Sequence, residues 1–189
     1  MEKPIKITLA RKKTELRQII ALQRANLRET VGEEVAAEQG FVTAVHDPAV
    51  LAEMNAATAS VVAKDGAKVV GYALTMLGSF ATKVPALTEV LAQQDQATYN
   101  GQLLADVDYL NMGQVCVAES HRGRRLVDRM YKYMRGCYSI HYPYLVTAVD
   151  ARNTRSRRVH ARIGFKEIRS FHSAETGKDW VIVLWDWVR

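Results

Sequence analysis

The sequence predicts an α/β fold, a single domain built on a mixed central β-sheet with helices on both faces. Three observations predict it. Short runs rich in Val, Ile, Tyr and Leu alternate with amphipathic runs of helical spacing. Turn residues fall between these runs, with hairpin signals near the start and the end. A chain of 189 residues, 48% of them hydrophobic, supplies one sizeable core. No internal repeat, low-complexity tract or linker interrupts the pattern, so residues 1–189 read as one domain.

The elements follow in order. Ile5, Ile7 and Leu9 alternate as a strand does, and Leu16, Ile19, Ile20, Gln23 and Leu27 recur on one helical face. Asp47 caps a helix that opens with Pro48 and carries Val50, Leu51 and Met54 on one side. Strands over Ala59–Lys64 and Lys68–Leu77 flank the Asp65-Gly66 turn. Gly78–Asp106 is less regular, with a helix expected over Pro85–Gln94. The stretch 78–107 reads as a lid or substrate-binding insertion, or as a bland surface excursion. Tyr109–Val117 reads as a strand, and Leu126, Met130 and Met134 repeat along the helix after it, which Gly136 would stop. A strand over Tyr144–Val149 leads to a short helix capped by Asn153 and ended by Gly164. Strands over Glu167–Phe171 and Trp180–Trp187 close the chain, and the last could offer an edge for homodimer pairing.

The composition narrows the function classes. No apolar run is long enough to cross a bilayer, and Met1–Lys6 lacks the apolar segment of a secretory signal. Two cysteines, Cys116 and Cys137, make no disulfide framework, so a cytoplasmic protein is expected. No Cys/His spacing suggests a metal site. The net charge of +6 and pI of about 9.4 favour an anionic partner without naming it. The charge is placed unevenly: Arg122, Arg124, Arg125, Arg129, Lys132 and Arg135 oppose only Asp128, and Arg152 to Arg162 holds five arginines and no acid. Nucleic acid is disfavoured, because exposed aromatics and a recognition module are missing.

The stretch from Gln114 to Val127 carries the chemistry. An apolar strand, Val115-Cys116-Val117, enters a basic turn at Arg122-Gly123-Arg124-Arg125, and the turn opens a helix at Leu126. A helix start offers unpaired N–H groups and a positive dipole end, which suit a phosphate or pyrophosphate. A second stretch, Asn153 to Phe165, is a capped helix ending in Gly164-Phe165. Together the two resemble the GNAT superfamily of N-acetyltransferases, whose segments read Val-x-x-x-x-Arg-Gly-x-Gly-x-Gly/Ala and Asn-x-x-Ala/Ser-x-x-x-Tyr-x-x-x-Gly-Phe. Val117, Arg122, Gly123, Asn153, Ser156, Gly164 and Phe165 stand in register, and the order of elements matches along nearly the whole chain.

The resemblance implies an enzyme that transfers an acetyl group from acetyl-CoA to a primary amine, of a small molecule or a protein, by direct attack in a ternary complex. Val115, Cys116 and Val117 would pair with the pantetheine arm and polarise the thioester carbonyl. Arg122, Gly123, Arg124, Arg125, Leu126 and Val127 would hold the pyrophosphate, with Asn153, Ser156 and Arg162 adding contacts. His160, at the family's tyrosine position, would donate a proton or hydrogen bond to the departing thiolate. Tyr72, Tyr109 and Gln114 would line the acceptor pocket, and Glu119, Asp108, Glu29 or Glu33 could serve as general base. Cys116 reads as a small buried hydrophobe and not a nucleophile. Arg125 and Val127 depart from the family's small residues. Arg125 either pairs with a phosphate or crowds the site. The alternative function is an acyl-CoA-binding module that does not turn its ligand over.

Overall fold

The computed structural model describes residues 4–31, 41–42, 44–84 and 87–188. Seven strands form one sheet: β1 (Lys6–Leu9), β2 (Val61–Asp65), β3 (Lys68–Met76), β6 (Leu110–Val117), β7 (Tyr144–Asp150), β9 (Lys178–Asp186) and β8 (Lys166–Ser173), in that spatial order. Neighbours run antiparallel except β6 and β7, which are parallel. A separate small hairpin joins β4 (Thr98–Tyr99) to β5 (Gln102–Leu103). This is the mixed α/β domain expected.

Strand alternation divides the core between the two faces. Val61 and Ala63 of β2 point one way, with Val70 and Ala73 of β3. They meet Leu126, Met130, Tyr131 and Met134 of α5 (Leu126–Tyr138), the four-residue repeat seen in the sequence. Val62, Tyr72 and Leu74 point the other way, against Ile19 and Ile20 of α1 (Lys13–Ala25) and Leu51 of α3 (Pro48–Ala57). The short helix α2 (Arg28–Val31) follows α1. Asp47 caps α3 through Oδ1, which accepts from the amides of Ala49 and Val50 at 2.7 and 3.1 Å.

The insertion after β3 holds a 3₁₀ turn (Gly78–Lys83), α4 (Thr88–Asp95) and the β4–β5 hairpin. α4 begins later than the Pro85 start expected, and Pro85 lies outside the described residues. Ala97, Tyr99 and Leu104 pack on Val146, Ile182 and Leu184, so part of the insertion covers the β7–β9 half of the sheet. It is a layer of the core as well as a candidate lid.

Two expectations are corrected. Gly136 does not stop its helix: α5 runs on to Tyr138, because a glycine at right-handed φ leaves the ladder intact and Tyr138 anchors the last turn. Its hydroxyl donates to the Ala59 carbonyl at 2.6 Å. The last strand is also no edge. β9 lies between β7 and β8, paired on both sides, and the edges are β1 and β8. A return strand that closes a hairpin with β8 and then reaches β7 is interior by topology, which a linear reading does not reveal.

α6 (Thr154–Ile163) ends where Gly164 adopts φ +118°, and an added Cβ there would lie 3.0 Å from Trp185 Nε1. Gly164→Ala should therefore lower unfolding free energy by ~2 kcal/mol or more, from backbone strain plus the clash. Urea denaturation measures it, and an unchanged midpoint would mean that the turn relaxes freely.

Candidate functional site

The site begins where the sheet opens. Among the described residues β6 and β7 pair only at Leu110–Leu145 and Asn111–Val146, although β6 continues to Val117 and β7 to Asp150. Their other partners hold them apart: β3 stays paired with β6 as far as Val117, and β9 stays paired with β7 as far as Asp150. The β3–β6 register shifts between Leu74 and Thr75, opposite Gly113, so a bulge marks the point of divergence. Beyond it, the β6 edge that faces β7 offers backbone groups to a ligand and not to a strand.

The turn at the end of β6 supplies the second wall. A 3₁₀ turn, Glu119–His121, leads to Gly123 at φ +79°, where a Cβ would meet nothing within 4 Å, and the chain comes close to the cavity there. Arg125 then takes φ +52°, left-handed geometry, as N-cap of α5 without any side-chain cap hydrogen bond. The first amides of α5, from Leu126 onward, have no partner inside the helix. Leu126, Val127 and Asp128 line a cavity of about 320 Å³ together with Val115, Cys116, Val117 and the α6 residues Ser156, Val159 and His160. Asn153 borders it too, its Oδ1 accepting from the Ser156 amide at 3.0 Å. Two helix N-termini and an unpaired strand edge thus converge on one space.

The arginines of this region are mostly engaged inside the protein. Arg122 donates through Nη2 to Asn26 Oδ1 at 2.7 Å and through Nε to the Val117 carbonyl at 3.4 Å, tying α1 to β6. Arg162 makes a two-point pair with Asp128 at 3.1 and 2.7 Å, joining α6 to α5 across the cavity wall. Arg157 pairs likewise with Glu167, and Arg152 with Asp150. Arg125 lines the cavity, and Arg124 lies in the same turn. The sequence reading missed Asn26 and Phe41, which also line the cavity, and Asp128, visible in the sequence only as a lone acid among bases. A side chain ninety residues away in the chain leaves no signal in a motif.

His160 is 1% exposed, among Tyr131, Phe165 and Trp185. Its Nδ1 lies 2.8 Å from the Ser156 carbonyl and its Nε2 2.8 Å from the Tyr131 hydroxyl. A carbonyl oxygen only accepts, so the proton of the neutral ring sits on Nδ1, and Nε2 accepts from Tyr131. Both nitrogens are engaged. Ser156 Oγ, 3.3 Å from Nδ1, borders the cavity. Tyr131 is fully buried, and the sequence reading of this helix did not single it out.

The remaining candidates are dispersed. Tyr72 is fully buried, its hydroxyl donating to Gln114 Oε1 at 2.5 Å, and Gln114 Nε2 donates to the Ala44 carbonyl at 2.9 Å. Tyr109 donates to Asp95 Oδ1 at 2.7 Å, beside the insertion. None of these three borders the large cavity. Burial pushes the Cys116 thiol up to about 11, so it is protonated at neutral pH and a poor nucleophile. Glu119, Asp108 and Glu29 are exposed and do not border the cavity, while Glu33 lies outside the described residues. No group of three or more metal-ligating side chains occurs among the described residues, and no helix is long and apolar enough to cross a membrane.

Burial also holds the His160 ring down to about 4, against an ordinary value near 6.5. The unfolded chain therefore takes up this proton first. Stability should be flat above pH 6.5 and fall as pH drops from 6.5 toward 4, by roughly 3 kcal/mol in total from this ring. His46, also lowered by burial, contributes in the same direction. Denaturant midpoints across pH 4–7.5 for the protein and for His160→Phe isolate the ring: the variant should show a shallower acid slope. Equal slopes would mean that His160 titrates normally.

Comparisons with known proteins bear on this geometry. Residues 25–165 match the model of the Acetyltransferase (GNAT) family. A search of curated protein sequences returned no match. Among solved structures, the chain is similar to one in the NatC complex bound to Gag peptide and CoA, at 9% identity and TM-score 0.66, covering 97% of this chain and 99% of that one. It is similar to the ribosomal-protein-S18-alanine N-acetyltransferase from Escherichia coli at 10% identity and TM-score 0.63, covering 97% and 94%. It is also similar to yncA, a putative acetyltransferase from Salmonella typhimurium solved with acetyl-CoA, at 14% identity and TM-score 0.62, covering 98% and 95%. At these identities the likeness is one of fold. The family match spans the strand, turn and helix that form the cavity, and on that match the chain belongs to the GNAT family of acetyltransferases.

Proposed function

We propose that the protein is an N-acetyltransferase that moves an acetyl group from acetyl-CoA to a primary amine, of a small molecule or a protein, by direct attack in a ternary complex. One observation carries the reading: the freed edge of β6 and the uncapped start of α5 border the same cavity. The edge at Val115, Cys116 and Val117 suits an extended arm bearing amides, and the amides from Gly123 to Val127 suit a diphosphate. Arg122 and Arg124 add positive potential there, and Arg125 can turn its guanidinium onto a phosphate. Asn153 and Ser156 border the cavity from α6, and Arg162 braces that wall through Asp128. Acetyl-CoA supplies the activated acyl group. The chain supplies orientation and N–H donors for the charge that develops on the acyl oxygen.

His160 acts through Ser156 in this scheme. With Nδ1–H directed at Ser156, the serine hydroxyl keeps its own proton for the cavity and for the departing sulfur. The ring sits at the motif's donor position as a positioning residue, the Ser156 hydroxyl beside it offers the departing sulfur a hydrogen bond, and the proton that turns thiolate into thiol is the one the amine loses.

A second reading, an acyl-CoA-binding module without turnover, is favoured by one observation: both His160 nitrogens are already engaged. Calorimetry with acetyl-CoA and thiol release with an amine panel separate the two. Turnover is expected, and Ser156→Ala and His160→Phe should each lower kcat roughly 10²-fold while acetyl-CoA affinity changes little. Tight binding without amine-dependent thiol release would establish the module, and absence of CoA binding at high micromolar levels would end both readings.

A further inference from the structure

A second cavity, of about 40 Å³, lies at the closed end of the β6–β7 divergence. Gly113 of β6 and Thr147 of β7 border it, so it sits where the strands begin to part. The large cavity starts at Val115, two residues and ~7 Å further along β6. The insertion roofs it through Leu87, Val90, Leu91 and Gln94 of α4 and its approach.

Three side chains that border this small space each carry a buried polar atom with no partner: Gln94 Oε1, Asn111 Nδ2 and Trp180 Nε1. The residues are 2%, 2% and 8% exposed. A buried donor or acceptor without a partner costs ~1–3 kcal/mol, so three around one cavity is an expensive arrangement for packing alone. The other walls are Met76, Met112 and the aliphatic side chains of α4, and among the described residues no Asp, Glu, Lys or Arg borders the space.

We propose that this chamber receives the reacting end of the acceptor, and that the acceptor is a weakly basic amine on an apolar body, of the aryl amine class. The proposal rests on the acetyltransferase reading and narrows it. An alkyl ammonium would have to enter a space with no carboxylate to pair with it or take its proton, at a cost of several kcal/mol. An aryl amine is already neutral at pH 7, and a space of about 40 Å³ takes its amino end alone, with the ring outside the methionine and aliphatic walls. Its N–H donates to Gln94 Oε1, and Asn111 and Trp180 offer N–H groups to an acceptor atom of the substrate or to the acyl oxygen. In the transfer the nitrogen lone pair forms the C–N bond and the C–S bond breaks with its electrons on sulfur. The amine gives up one proton, so that the products are the N-acetyl aryl amine and CoA thiol.

The test compares aniline and 4-methoxyaniline with spermidine and lysine in thiol-release assays, on the full chain and on Gln94→Met and Trp180→Phe. Gln94→Met keeps the side-chain length and removes the amide with its unpartnered oxygen, and Trp180→Phe removes the unpartnered N–H together with part of the ring. The anilines should be preferred at least tenfold in kcat/KM. Each variant should raise aniline KM at least tenfold, leave acetyl-CoA KM within twofold, and keep or raise the melting temperature. Preference for spermidine or lysine, or aniline KM unchanged in both variants, overturns the proposal while leaving the acetyltransferase reading intact. So does a variant that loses thermal stability without any change in aniline KM, which would make the polar atoms structural. Failure to bind acetyl-CoA by calorimetry overturns both.

Discussion

The structure turns on the parting of β6 from β7. At Leu110–Leu145 and Asn111–Val146, β6 and β7 pair as parallel strands, and beyond that each keeps only its other neighbour. Parallel pairing is slightly weaker per residue than antiparallel pairing, and here it is the only parallel junction in the sheet. A ligand edge opened at this seam sacrifices the least ladder energy available. Opening the sheet at β3–β6 or β7–β9 would break antiparallel pairs along the full length of a strand. The bulge at Gly113 concentrates the bend at one residue, so the core on either side stays packed.

The same economy governs the charge. A chain of net charge +6 with arginines crowded near the site suggests many free cations, yet four of them form pairs with carboxylates or carbonyls of the fold. Arg122 and Arg162 brace the cavity walls, the first by joining the turn before α5 to the end of α1 and the second by tying the last turn of α6 to the first turn of α5. In the proposed acetyl-CoA site, anion attraction would then fall mainly to backbone amides and helix dipoles, which sit at fixed positions and need no side-chain ordering on binding. This also weakens any nucleic-acid reading of residues 152–162, since such binding needs guanidinium groups available to phosphates.

What the sequence made legible follows from physical range. The Leu126–Met130–Met134 repeat, the Asp47 and Asn153 caps and the Asp65-Gly66 turn are local interactions, and each stands in the structure where the sequence put it. The site was legible as two motifs, because helix starts are written in adjacent residues. Long-range facts were not. The interior place of β9 depends on which strand it pairs with after its hairpin, and the Arg122–Asn26 bridge joins residues 96 positions apart. The hydrogen bonds of His160 were not legible from its position in the motif, since only the Tyr131 hydroxyl and the Ser156 carbonyl show where its ring proton lies. Gln94, Asn111 and Trp180 carried no motif, and their meeting at one cavity is purely tertiary.

Arg125 shows how a departure from a family pattern can be read through backbone geometry. The turn demands φ near +52° at this position, a conformation that glycine adopts without penalty and that other residues occupy at a cost of ~1 kcal/mol or more. The glycine of the family pattern therefore answers a backbone requirement, and an arginine meets it with strain. What the arginine adds is a long cation rooted at the N-cap of α5, on the border of the cavity. The strain is then a local cost set against charge at the mouth of the site, in a region whose neighbouring arginines are already committed to holding the walls.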